Sequence, residues 1–227
     1  MMGGPEEVGR KDEFPRHKVV LDAFYLDRYE TTGNDFEKFL QANPKEHPTI
    51  TGWYGRKPRP ELARSPVIGL TWKRCQKFCS WQGKRLPTEA EWERAAAGLT
   101  ARIYPWGNSL PDPKRANFGR CCFIMKGLVL NSVGKLELGK SPEGVYDLAG
   151  NIAEWVYDWY DKNYYKTSPT KNPRGPEKGK YHVIRGGAWN SLPDYLRSSS
   201  RYGYDDAKDF YGIGCRCAKS AKQKPAK

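Results

Sequence analysis

With 227 residues, 39 Lys+Arg against 26 Asp+Glu and a formal charge of +13, the chain has length for one large domain or two small ones. No apolar stretch reaches the roughly 18–20 residues of a membrane span, and no signal peptide opens the sequence. The basic residues are dispersed instead of gathered on one face or helix, which argues against nucleic-acid binding and for a solvated basic surface or an acidic protein partner.

Prolines and glycines (17 and 23) are spread along the chain and read as turn punctuation through one loop-rich body without an internal linker. Hydrophobic content is only 38%, yet there are 8 Trp, 14 Tyr and 8 Phe. The core must therefore be built from few large rings, each burying roughly 150–250 Å² and needing a polar partner for its N–H or O–H.

Along the chain, His17 to Tyr25 alternates as a strand does, and Asn34 to Gln41 carries Phe36, Phe39 and Leu40 at helical spacing. From Ala42 to Leu70, prolines at 44, 48, 58, 60 and 66 interrupt every period, so a long ordered loop is expected. Thr71 caps a helix that buries Trp72, Cys75, Phe78 and Cys79 on one face and stops near Gly83. Thr88 with Glu91 forms a capping box for a second helix, continued by Trp92, Ala95 and Ala96 and ended by Gly98. Beyond Gly98 the pattern is loops and short strands, with Val183 to Arg185 and Ile213 to Cys217 the better strand candidates. Arg85, Glu89, Glu91, Asp147, Glu154 and Arg185 are set among Trp, Pro and Gly, where burial is tolerable only if they pair or meet backbone groups.

Taken in order, several stretches resemble the formylglycine-generating enzyme (sulfatase-modifying factor) family. They are Met2-Gly3, Tyr29-Glu30-Thr31-Thr32, Gly83 to Glu93, Tyr104 to Asn108, Ala116-Asn117, Gly144 to Asn151 with Glu154-Trp155, Arg185-Gly186-Gly187, and Gly214 to Ala218. The resemblance implies a single α+β, C-type-lectin-like domain over residues 1–218, with short antiparallel strands and about three helices, and a basic disordered tail over 219–227. In that family the Met-Gly pair follows a first strand, so this sequence is expected to begin downstream of a natural N-terminus that would hold any signal or lipid anchor.

Cys75 and Cys79 lie four apart on one helical face, and Cys215 and Cys217 lie two apart on one strand face, with separations of roughly 6 and 6.5–7 Å. If helix and strand pack side by side, two parallel bridges follow. Cys79 to Cys217 resembles a bridge known in the family, with Cys75 to Cys215 as its neighbour, and bridges imply an oxidising compartment. Reduced core cysteines and a four-thiolate metal site remain as rivals. The adjacent Cys121 and Cys122 are undecided.

Asp147 and Glu154 are hard oxygen ligands around Gly150, chemistry that suits Ca²⁺, the alternative being that they pair with Arg or bond loop amides. By resemblance to the family's calcium loop, the ligand set is Asp147, Leu148, Gly150, Ile152 and Glu154, the middle three through their carbonyls. Members that make formylglycine bind copper(I) through two cysteines after the Arg-Gly-Gly motif and use O₂ to oxidise a substrate cysteine. Here Ser191 and Leu196 stand at those two positions, and neither replaces a thiolate, so no copper is expected. Around them Trp189, Asn190, Ser191, Asp194, Tyr195, Tyr202, Tyr204 and Tyr211 combine aromatic platforms with small polar groups, which is recognition chemistry.

The expected function is a non-catalytic, calcium-stabilised binding or accessory component of a periplasmic or extracellular protein complex, with a protein or glycan partner. One rival is an oxidoreductase with cysteine-independent chemistry, like relatives that oxidise a peptide chromophore without the copper cysteines. Another is a variable ligand-binding protein of the kind diversified by retroelements.

Overall fold

The structure is a computed structural model, and it describes residues 1–47, 50, 52–120, 129–205 and 212–221. Cys121, Cys122 and Tyr211 lie outside the described residues, as does the basic run from residue 222 onward.

Three α-helices follow their local signals. Helix α1 (Gly33–Ala42) starts on Thr32, whose hydroxyl accepts from the Asp35 N–H while Asp35 returns a bond to the Thr32 backbone. Helix α2 (Trp72–Trp81) is capped by Thr71. Helix α3 (Glu89–Ala97) has the Thr88/Glu91 box and stops at Gly98, which takes φ 68°. Phe36 and Phe39 of α1 meet Phe78 of α2 with ring centroids 5.5 and 5.7 Å apart, and this aromatic knot holds the two helices together.

The central sheet has four strands in the order β6-β5-β4-β7. Strand β4 (Ala153–Trp159) lies antiparallel to β5 (His182–Arg185), which pairs antiparallel with β6 (Arg201–Tyr204). Strand β7 (Ile213–Gly214) joins β4 in parallel, an exception to the expected antiparallel arrangement. Strand β1 (Phe24–Leu26) pairs with β8 (Ala218–Ser220), bringing the two ends of the domain together. Lys219 and Ser220 are therefore in a strand, which corrects the expectation that the tail begins at 219: their backbone groups find partners on Tyr25 and Phe24. The expected loop between residues 42 and 70 holds a small hairpin, β2 (Trp53–Tyr54) with β3 (Lys57–Pro58).

Three of the core indoles find carbonyl or carboxylate partners, while the buried Trp189 N–H has none among the described residues. Trp72 Nε1 donates to the Val156 carbonyl at 2.8 Å, Trp155 Nε1 to the Leu70 carbonyl at 2.7 Å, and Trp92 Nε1 to Glu154 Oε2 at 2.8 Å. The buried arginines pair as well. Arg185 contacts Glu93 and Glu89 and donates to the Ser198 and Ser199 carbonyls. Arg201 forks onto Glu89 at 2.7 and 2.8 Å, and Arg197 onto Glu13 at 2.6 and 2.7 Å. Burial by itself would raise the Glu89 carboxyl, but the guanidiniums of Arg201 and Arg185 override it and hold its pKa below the usual range.

Candidate binding cleft

Residues of all four strands of the central sheet contribute to the cleft. Ala153 of β4, Ile184 of β5, Tyr202 to Tyr204 of β6 and Ile213 of β7 form one side, and the loop from Gly187 to Tyr195 closes over the other. The cleft, open on one side, has a volume of about 410 Å³. Two glycines make the loop turn back sharply: Gly186 and Gly187 take φ 87° and 70°, and a Cβ on Gly187 would press on the Tyr195 carbonyl at 3.1 Å. Asn190, Ser191, Tyr195, Tyr202 and Tyr204 line the cavity as the sequence led one to expect.

Trp189 and Asp194 do not. Trp189 turns into the main hydrophobic core and is 4% exposed, because the indole gains more by burial there than at a wet wall. Asp194 sits in the exposed 3-10 turn Pro193–Leu196, away from the cavity wall. The sequence reading missed Ile184 and Ile213, whose contribution depends on which strand faces meet.

Ser191 Oγ accepts from the Ala188 N–H at 2.9 Å and so closes a tight turn. Leu196 is fully buried in a cluster with Tyr104, Ala116 and Ala149. Neither position offers a soft ligand to the cleft, and the four described cysteines are all buried in the core cluster instead.

Those cysteines split into two pairs. Cys79 and Cys217 are bonded, as expected, with Cα atoms 5.5 Å apart. Cys75 and Cys215 are free thiols, which corrects the expected second bridge. They neighbour each other closely enough to hydrogen-bond, and burial followed by that hydrogen bond pushes the Cys75 thiol well above its ordinary pKa. A neutral, water-excluded thiol pair is a stable core element, so packing does not demand oxidation.

The loop read for calcium is tightly wound, with Asp147 at φ 58°, Gly150 at 81° and Asn151 at 64°. Asn151 ties it together. Its amide nitrogen donates to Glu30 at 2.7 Å, its oxygen accepts from the Asn131 N–H and from Asn117, and its carbonyl accepts from Trp189, which links this loop to the cleft. Glu154, expected as a ligand, is engaged by an arginine and an indole in this structure. Both of its oxygens take the Arg216 fork at 2.7 Å and one also accepts from Trp92, because a fully desolvated carboxylate needs a matching cation and every lone pair used. Asp147 accepts the Gly134 N–H through Oδ2 alone. Nearby, Asn117 Oδ1 is buried without a hydrogen-bond partner among the described residues, on the residue whose carbonyl accepts the Asn151 N–H. An orphaned acceptor, and three buried carboxylates (Glu30, Asp147, Glu154) against the single guanidinium of Arg216, fit a cation held by Asp147 and loop carbonyls.

Comparison with known proteins agrees with this geometry. The model of the sulfatase-modifying factor enzyme 1-like domain matches residues 1–221. The chain belongs to that family. Within it, the protein is 36% identical over 228 residues to the serine/threonine-protein kinase pkn1 of Chlamydia pneumoniae, a match covering 93% of this chain and 35% of that protein. It is 31% identical over 271 residues to the formylglycine-generating enzyme of Mus musculus, covering 96% of this chain and 72% of that enzyme. Among solved structures, PvdO from Pseudomonas aeruginosa superposes with a TM-score of 0.79 at 25% identity, over 97% of this chain and 90% of that one. The chain thus spans about a third of the length of its Chlamydia relative.

Proposed function

We propose that this family member is a non-catalytic binding domain of an extracytoplasmic protein complex, and that its cleft takes a segment of a partner protein. The observation that carries this reading is the replacement of both copper thiolates by a turn-forming Ser191 and a core Leu196, while an aromatic, well-formed cavity persists beside them. The Cys79–Cys217 bond fits a compartment where disulfides persist, and no described helix is long and apolar enough to cross a membrane. Kinase chemistry belongs to the name of the Chlamydia protein, of which this chain matches only 35%, and it is not carried over.

The test is direct. Purified protein loaded with copper(I) and given a cysteine-containing peptide under O₂ is expected to show neither oxygen uptake nor aldehyde in the peptide. Tightly retained copper or aldehyde formation overturns the reading.

Calcium belongs to the same proposal as a structural cation. Asp147 with the Leu148, Gly150 and Ile152 carbonyls would hold it, and what it supplies is compensation of the surrounding carboxylates. Millimolar Ca²⁺ over a chelated sample is expected to raise Tm, since a ligand that binds only the native state stabilises it by about 2.7 kcal/mol at a hundred times its Kd. Asp147→Ala should abolish the shift. An identical Tm with chelator and with Ca²⁺ removes calcium from the account.

A further inference from the structure

The N-terminal segment sets one side chain, which no motif announced, against two of the tyrosines that line the cleft. Arg10 lays its guanidinium over both Tyr195 and Tyr202, with Cζ 4.3 and 5.0 Å from the two ring centroids. Those rings are themselves stacked, 4.9 Å apart and 15° from parallel, and Arg10 Nη1 donates to the Tyr202 hydroxyl. The segment is anchored on both sides. The Gly9 N–H bonds the Pro5 carbonyl, the Glu13 N–H bonds the Arg10 carbonyl, and Glu13 is buried on Arg197 and Ser199.

Arg10 has no carboxylate within ion-pair distance among the described residues, unlike Arg185, Arg197, Arg201 and Arg216. Asp194, next to Tyr195 in sequence, does not pair with it, and Glu13 is spent on Arg197. A guanidinium has five N–H donors in a fixed fork, and the Tyr202 hydroxyl takes one. The remainder are held in a fixed orientation beside the two tyrosines that line the cavity, and a guanidinium so held can receive an anion. A second arginine without a described ion pair, Arg120, is exposed and bonds the Trp189 carbonyl through its backbone N–H, beside the loop that closes the cleft.

We propose that Arg10, packed on Tyr195 and Tyr202 beside the cleft, sets its specificity, and that the ligand is a peptide segment presenting an aromatic or branched apolar side chain next to a carboxylate. This rests on the binding reading above. Peptide is favoured over glycan because Ile184, Ile213, Leu192 and Ala188 make much of the wall apolar, whereas a sugar requires a dense array of polar side chains. Asn190 is the single side-chain amide on the described wall, and the Ser191 hydroxyl oxygen is already engaged by the Ala188 N–H. Charge complementarity supplies the second half of the argument, since an acidic flank meets a cation with no carboxylate partner among the described residues, on a chain of formal charge +13.

The experiment compares two fluorescein-labelled hexapeptides, identical except for glutamate or glutamine following a central phenylalanine, by fluorescence polarisation. The glutamate peptide is expected to bind about tenfold tighter, the equivalent of one charge-assisted hydrogen bond, and the preference should weaken with salt. Arg10→Gln should bring the ratio to about one and leave glutamine-peptide affinity within about twofold. Arg10→Lys should retain part of the preference, because it keeps the charge but not the fork. Equal affinities on the unmodified protein, with both weakened by Tyr202→Ala, overturn the acid selection and leave cleft binding standing. Failure of both peptides to bind overturns the proposal and counts against the binding reading too.

Discussion

Arg216→Leu is expected to destabilise the fold by about 3–5 kcal/mol, the typical cost of leaving a buried charge without its partner. Arg216 is fully buried and ties four segments together. Its Nε and Nη2 fork onto Glu154, Nη2 also donates to the Tyr146 carbonyl, and Nη1 donates to the carbonyls of Asp27 and Arg28. Leucine roughly fills the space but strands the Glu154 carboxylate among Trp92 and apolar neighbours, where its ionised form has no compensation. Urea unfolding checks the size of the loss. The double variant Arg216→Leu with Glu154→Gln should recover a good part of it, since the stranded charge is gone while an amide oxygen can still accept from Trp92. A loss below about 1 kcal/mol for the single variant would show that the pair is dispensable.

Opening the Cys79–Cys217 bond should be comparably costly. The bridge joins residues 138 apart, and the chain-entropy estimate for a loop of that length is about 5 kcal/mol. It also fastens α2 to the segment leading into β8, so its loss frees the strand that pairs the two ends of the domain. Cys79→Ala with Cys217→Ala is therefore expected to lower Tm strongly. The matching change at Cys75 and Cys215 should cost only what two small buried groups contribute to packing. Peptide mapping after alkylation under denaturing, non-reducing conditions should find Cys75 and Cys215 modified and Cys79 and Cys217 protected. Free thiols at the latter pair would contradict the bridge.

These two expectations rest on interactions of different sequence range, and the same distinction governs how much could be read in advance. The three helices were legible because their signals are local: Thr32, Thr71 and Thr88 each bond an N–H three residues ahead, and the apolar positions recur one turn apart. The longest strand, β4, was not recognised. Glu154 and Asp158 are buried alongside Trp155 and Val156, so the strand shows no alternation of polar and apolar residues. Its polar positions are paid for by Arg216 and by the N–H of Glu89, partners that lie far along the chain.

The motif resemblance placed the family, the fold and the absence of copper ligands, since residue identity at Ser191 and Leu196 is enough to exclude a thiolate. Identity could not say that Glu154 would face Arg216, that only one of two equally spaced cysteine pairs would be bonded, or that Trp189 would turn inward. Least legible of all was Arg10. It meets Tyr202 across 192 positions of sequence, and nothing within a turn of Arg10 encodes that contact. By itself the sequence determined helices, caps and that no thiol stands at residues 191 and 196, because these depend on neighbours or on the element a side chain carries. The tertiary structure alone decided which charges cancel, and that Arg10 finds no carboxylate among the described residues, because a Coulombic partner is set by distance in space and not by position along the chain.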